Sequence, residues 1–205
     1  MTLNSLDNNK IANLYLRSND ITDEMVEQIA KKIKVSTSLL AFDISKNKIT
    51  GKSILSLCDA LDRNRSLQYL GLAMNELTGT DVMPLLNALG SNSFPQENSE
   101  EQLKKMKDRD AIIEKNKKLK GKKEEPVPFV ENIVNQDGVW IIQKNLELKQ
   151  LNLGLNNFDD SVQEFVDKML TKTPSTFSMF VSGKALSKDL MKTLSTKHGS
   201  KFITQ

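Results

Sequence analysis

The sequence predicts an α/β repeat protein, an array of short parallel strands each followed by a helix, with about six repeats and one charged insertion. Three observations predict it. Leu67-Gln-Tyr-Leu70-Gly-Leu72-Ala-Met-Asn75-Glu-Leu77 fits L-x-x-L-x-L-x-x-N-x-L, and the stretches Ile11 to Ile21, Leu39 to Ile49 and Leu148 to Phe158 fit the same template. Asn19, Asn47 and Asn75 are spaced by 28 residues and then 28 again. Between these matches lie apolar residues at helical spacing, so the unit is a strand, a turn and a returning helix.

Each part of the template has a physical role. Alternating residues such as Leu70 and Leu72 make a strand with one buried face. The asparagine follows where the chain turns and leaves backbone groups in need of partners. Its amide both donates and accepts, so stacked asparagines can satisfy those groups from repeat to repeat.

Taken in order, residues 1–10 precede the first strand, and Leu3 and Leu6 are the only candidates there for a strap over the first repeat. With so little before Ile11, the edge formed by Leu14, Leu16 and Ile29 is expected to stay partly open. The first helix carries Val26, Ile29, Ala30 and Ile33 on one face, the second Ile54, Leu57, Cys58 and Leu61, the third Val82, Leu85, Leu86 and Leu89. Thr22, Thr50 and Thr78 are the expected N-caps. Pro84 requires the third helix to start late, near Thr80 or Asp81, so that it falls in the first turn.

From Asn75 to Asn156 is 81 residues, too long for one repeat. Val127-x-Phe129-x-x-Asn132-x-Val134 matches the second half of the template, and a helix through Val139, Ile142 and Leu146 would complete a degenerate repeat there. That leaves an insertion at about 96–125, inside a single domain spanning 1–205. In it Lys115, Lys117, Lys118, Lys120, Lys122 and Lys123 make six of nine residues lysine. Such a run is a solvated loop or a docking segment for an acidic surface; without interleaved aromatics it argues against nucleic acid. After Asn156, Val162, Phe165, Val166, Met169 and Leu170 mark another helix. Met179-x-Val181-x-x-Lys184-x-Leu186 keeps the strand pattern and loses the asparagine, as a terminal repeat does. Leu190, Met191 and Leu194 suggest a closing helix, and Phe202-Ile203 a short tail packed on its end.

A period of 28 with helices after the strands resembles the ribonuclease-inhibitor class of leucine-rich-repeat proteins. The resemblance implies a curved solenoid, strands concave and helices convex, that serves as a binding scaffold rather than an enzyme. The lysine-rich interruption followed by Pro126-Val-Pro128 looks like a feature of some ciliary and axonemal members. Ran GTPase-activating proteins also belong to the class. They carry more repeats and an acidic tail, from which this chain departs by its basic insertion.

Composition narrows the chemistry. The formal charge is +3, from 29 basic and 26 acidic residues, a balance that does not itself suggest nucleic acid. No signal peptide is seen at the start, and no apolar run approaches the roughly 18 residues of a membrane span. Cys58 is the only cysteine, which excludes an intrachain disulfide and fits a reducing, cytoplasmic compartment; it reads as a buried core residue. With His198 the only histidine, a cysteine–histidine zinc site is excluded by count, and no cofactor is expected.

If the register holds, the concave face presents Tyr15, Arg17, Asp43, Tyr69, Gly71, Asn152 and Phe180. Gly71, Ala73 and Gly154 leave its centre bare, either as a groove or to relieve crowding. Tyr15, Tyr69 and Phe180 are candidate anchors for a protein partner. No carboxylate pair, phosphate loop or nucleophile–base pair lies there. Two functions follow: a non-catalytic structural or adaptor subunit of a larger, cytoskeletal or ciliary assembly, or a regulator of an enzyme such as a GTPase activator. Proteins are the expected partners, with an acidic surface for the lysine run and no membrane.

Overall fold

The computed structural model describes residues 11–90, 108, 111–118, 133–136, 139–142, 147–181 and 186–204. Three repeats open the chain: β1 (Asn13–Tyr15) and α1 (Asp23–Val35), β2 (Ala41–Asp43) and α2 (Gly51–Arg63), β3 (Tyr69–Gly71) and α3 (Gly79–Gly90). A helical stretch at 111–118 and the strands β4 (Ile133–Gln136) and β5 (Val139–Ile142) come next. The chain then resumes with β6 (Gln150–Asn152), α4 (Gln163–Lys172), β7 (Ser178–Val181), α5 (Lys188–His198) and β8 (Phe202–Thr204).

These elements fall into two compact units, residues 1–91 with 144–205, and residues 92–143. In the first, six strands pair in parallel in the order β1-β2-β3-β6-β7-β8. Leu14, Phe42, Leu70 and Leu151 meet in register, as do Leu151 with Met179 and Met179 with Phe202. All six are buried and form the inner row of one core, against which the helices lay Ile33, Leu57, Leu85 and Met169. Each such side chain contributes roughly 1.5–3 kcal/mol by leaving water.

The asparagines form the expected ladder. Asn47 Oδ1 accepts from Asn19 N–H and Ile21 N–H, both at 3.0 Å; Asn75 Oδ1 accepts from Asn47 N–H at 3.0 Å. Asn156 Oδ1 accepts from Asn75 N–H at 3.0 Å, so residues 81 apart in sequence are neighbours in the stack. A second buried ladder, absent from the sequence reading, closes the opposite edge. Asn64, 28 residues after Ser36, donates through Nδ2 to Ile33 O at 2.6 Å and Ser36 O at 3.0 Å, while its Oδ1 accepts from Leu67 N–H at 2.7 Å.

Several expectations are corrected. The sheet passes from β3 directly to β6, so no repeat built on Asn132 stands between them. Asn132, Pro126, Pro128 and Leu146 lie outside the described residues. Val139 and Ile142 belong not to a helix but to β5, which pairs antiparallel with β4 from Ile133↔Ile142 to Gln136↔Val139. The sixth strand is instead β8, where Phe202 and Ile203 extend the sheet beside β7 rather than form only a short tail packed on the closing helix. The helix α3 starts at Gly79, placing Pro84 in its second turn. Asp81 explains the early start, since its carboxylate accepts from Thr78 N–H at 2.8 Å and the Thr78 hydroxyl at 2.7 Å. Thr50 and Thr78 accept from Lys52 N–H and Asp81 N–H as caps, but the Thr22 side chain does not. In place of that cap, Asp23 binds across to the next repeat, accepting from Thr50 N–H at 2.9 Å and from the hydroxyls of Thr50 and Ser53. Leu14 and Ile29 are buried and only Leu16 is half-buried, so the first repeat is less open than expected. Cys58 is half-buried against the core.

Candidate protein-interaction surface

Strand alternation puts the odd-numbered residues of β1–β3 opposite the buried row. Register then aligns Tyr15, Asp43, Gly71, Asn152 and Phe180 across five strands, with Ile203 beyond. Strand alternation in the sequence leads to this row, but its members differ in exposure. Tyr15 is 61 % exposed, whereas Asp43 has no exposed surface at all.

Asp43 is covered by what it holds. Arg17 Nε donates to its Oδ2 at 2.8 Å and a terminal guanidinium nitrogen lies 2.6 Å from the same oxygen. The Tyr69 hydroxyl donates to Oδ2 at 3.1 Å, and Ser45 N–H donates to Oδ1 at 2.9 Å. Burial alone would raise the Asp43 carboxyl, but Arg17, Ser45 and Tyr69 outweigh it and hold the group below the usual carboxylate range. Burial and the Asp43 charge push the Tyr69 phenol up, against the Asn152 side chain beside it. Hydrogen bonding and attraction to Asp43 raise the Arg17 guanidinium further. The result is a neutral, fixed cluster drawn from three repeats, with the Arg17 side chain 58 % exposed at its surface.

Gly71 is small for a specific reason. A Cβ there would stand 2.4 Å from the Asp43 carboxyl carbon, so the glycine makes room for the buried carboxylate rather than opening a groove. Asp43 and Gly71 therefore shape the face from beneath, while Tyr15 and Arg17 present surface; Tyr69, Asn152 and Phe180 are half-buried. The pairing of Asp43 with Arg17 was not foreseen. Its one sequence signal is the presence of opposite charges on neighbouring repeats, 26 residues apart.

The basic residues belong to the other unit. Lys115, Lys117 and Lys118 are exposed on the stretch 111–118, where Lys117 pairs with Glu114 at 2.6 Å. Lys120, Lys122 and Lys123 lie outside the described residues. Among the described residues no group of three His, Cys, Asp or Glu could hold a metal ion, and no helix is long and apolar enough to cross a membrane.

Parallel strands, returning helices and an asparagine ladder together give this chain the fold of a leucine-rich-repeat solenoid. A family model described as Leucine Rich repeat matches residues 35–58, from the end of α1 into α2. Among solved structures the chain is similar to leiomodin-1 actin-binding site 2, with a TM-score of 0.58 and 12 % identity, over 96 % of this chain and 86 % of that one. At that identity the likeness is one of fold. A comparison with curated protein sequences finds no match.

Proposed function

We propose that the chain is a non-catalytic protein-interaction module, a structural or adaptor subunit of a cytoskeletal assembly, that takes its partner on the concave face. The observation that carries this reading is the Arg17–Asp43–Tyr69 cluster, a pre-organised polar anchor beside an exposed tyrosine. Arginine and tyrosine held rigid lose little freedom on binding, which is why such residues dominate interfaces. The buried carboxylate already has three donor groups and no solvent access, so it offers no general base. The ribonuclease-inhibitor class fits the alternation of strand and helix, and the cytoskeletal part draws on the likeness to an actin-binding domain. A place in the ciliary axoneme rests on the lysine run and Pro126-Val-Pro128 alone.

The enzyme-regulator alternative gains no support from Arg17. An arginine tied to a buried carboxylate on its own sheet is not free to reach into another protein's active site. Co-sedimentation with actin filaments and with axonemal and microtubule fractions tests the proposal. The wild-type chain is expected to pellet with one of them, and a Tyr15→Ala/Arg17→Ala double variant to stay in solution. A chain that pellets with none, or that accelerates GTP hydrolysis by a candidate GTPase, overturns it.

A further inference from the structure

One residue in each of four repeats stands between the strand and the ladder asparagine: Ser18, Lys46, Met74 and Leu155. All four have left-handed backbone, with φ of 55°, 55°, 53° and 57°. They stack on one another, since Ser18 N–H donates to Lys46 O at 3.1 Å, Lys46 N–H to Ala73 O at 2.8 Å, and Met74 N–H to Gly154 O at 2.8 Å. Glycine and asparagine accept this conformation readily, while longer side chains are strained in it. Two adjacent repeats nonetheless carry methionine and leucine here, and both are exposed, at 48 % and 47 %. Neither fold stability nor solubility accounts for large apolar side chains at strained, half-exposed positions.

The surroundings indicate what would cover them. The next row inward is Ser45, Ala73 and Gly154, whose short side chains leave the strip standing above the face. Lys46 continues the strip from Met74, and its exposed ammonium has no ion-pair partner among the described residues. On the outer side Asp20 and Lys48 pair with each other at 3.7 Å, while Glu76 flanks Met74. An acidic group is therefore welcome at the Lys46 end and repelled beside Met74. Neighbouring repeats are roughly 4.8 Å apart. Side chains one helical turn apart on a helix are separated by about 5–6 Å, whereas like-facing residues of an extended chain are about 6.5 Å apart and would run out of step.

We propose that this strip docks an amphipathic helix of a partner protein, lying across the repeats. Its apolar side chains, one turn apart, cover Leu155 and Met74, and an acidic residue one turn further meets Lys46. The inference rests on the reading of the chain as an interaction module and names the chemistry of what it binds.

The probe is a short synthetic helix bearing leucines at two successive turns and a glutamate at the third, titrated into the isotope-labelled chain and followed by amide chemical shifts. Saturable shifts are expected at the turns of Lys46, Met74 and Leu155. Met74→Asn with Leu155→Asn is expected to weaken binding at least about tenfold while leaving the melting temperature unchanged or higher, because asparagine tolerates the left-handed turn. Lys46→Glu is expected to switch preference to a peptide carrying lysine in place of the glutamate. The proposal is overturned if no saturable shift appears on the strip, if the wild-type chain binds the lysine peptide equally well, or if the asparagine pair lowers the melting temperature. Failure here alongside a partner cross-linked through Tyr15 would sink the helix strip alone; failure of both would sink the interaction reading itself.

Discussion

Replacing Asn156 with alanine perturbs the joint at which the stack resumes after the second unit. The amide is 4 % exposed, accepts from Asn75 N–H at 3.0 Å and Leu77 N–H at 3.4 Å, and donates to Leu72 O and Leu153 O, both at 2.9 Å. Leu72 O keeps a second donor in Asn75 Nδ2. The loss therefore falls on the Asn75 N–H, the weaker Leu77 bond and the Leu153 carbonyl. With about 1–3 kcal/mol for one buried group left unsatisfied and less for the weak bond, the cost is about 3 kcal/mol. For a chain of this length that lowers Tm by roughly 6–12 °C. Urea unfolding followed by far-ultraviolet circular dichroism reads the change directly. Asn19→Ala is the internal control: Asn19 is exposed, and among the described residues its side chain donates only to the Arg17 carbonyl, so its removal should cost less than about 1 kcal/mol. An Asn156→Ala loss below about 1 kcal/mol, or one equal to that of Asn19→Ala, would refute the direct stacking of β3 on β6.

Three further outcomes are expected. Gly71→Ala forces a methyl into the Asp43 carboxyl and should cost about 1–3 kcal/mol in a thermal melt, with a wild-type melting curve counting against the packed cluster. Asp43 has a folded pKa below its unfolded value, so its contribution is present above about pH 4 and is lost as pH falls through the folded pKa. Asp43→Asn should therefore destabilise by about 2–3 kcal/mol at pH 7, and its gap from the wild type should narrow progressively as pH falls below about 4 in parallel urea titrations. A gap that stays constant with pH would show the carboxylate charge to be irrelevant. Replacing 92–143 by a short Gly/Ser linker should leave the repeats folded at an unchanged or slightly higher Tm, since a shorter connection costs less to close. An unfolded product would show that the second unit belongs to the core.

The strands, the helices and the ladder were legible because each rests on a local period repeated at 28 residues. Asn156 was legible even 81 positions beyond Asn75, because its own eleven-residue template is complete. The pair β4–β5 was not. Val127 to Val134 offers only half a template, and Val139-Trp-Ile-Ile142 is a short apolar run that suits a strand as well as a helical turn. The strand β8 has too few residues for any period to show. Across the sheet, alternation set Asp43 opposite the buried row, in line with Tyr15 and Gly71, but implied exposure. Its burial arises from Arg17 and Tyr69 on the flanking repeats, a consequence of stacking that no single repeat contains. The left-handed turns were equally hidden, because Met74 and Leu155 are not residues that announce a positive φ.

Interaction through the concave face is the central claim, and two residues of matched exposure allow a direct test. Tyr15 on the concave row is 61 % exposed and Leu55 on α2 is 60 % exposed, so a photoreactive amino acid at either site is equally available to solvent. Each variant is irradiated in cytoskeletal extract and its adducts are identified by mass spectrometry. A discrete protein adduct is expected from position 15 and none from position 55. The same adduct from both positions, or an adduct from position 55 alone, would contradict the concave face as the binding surface.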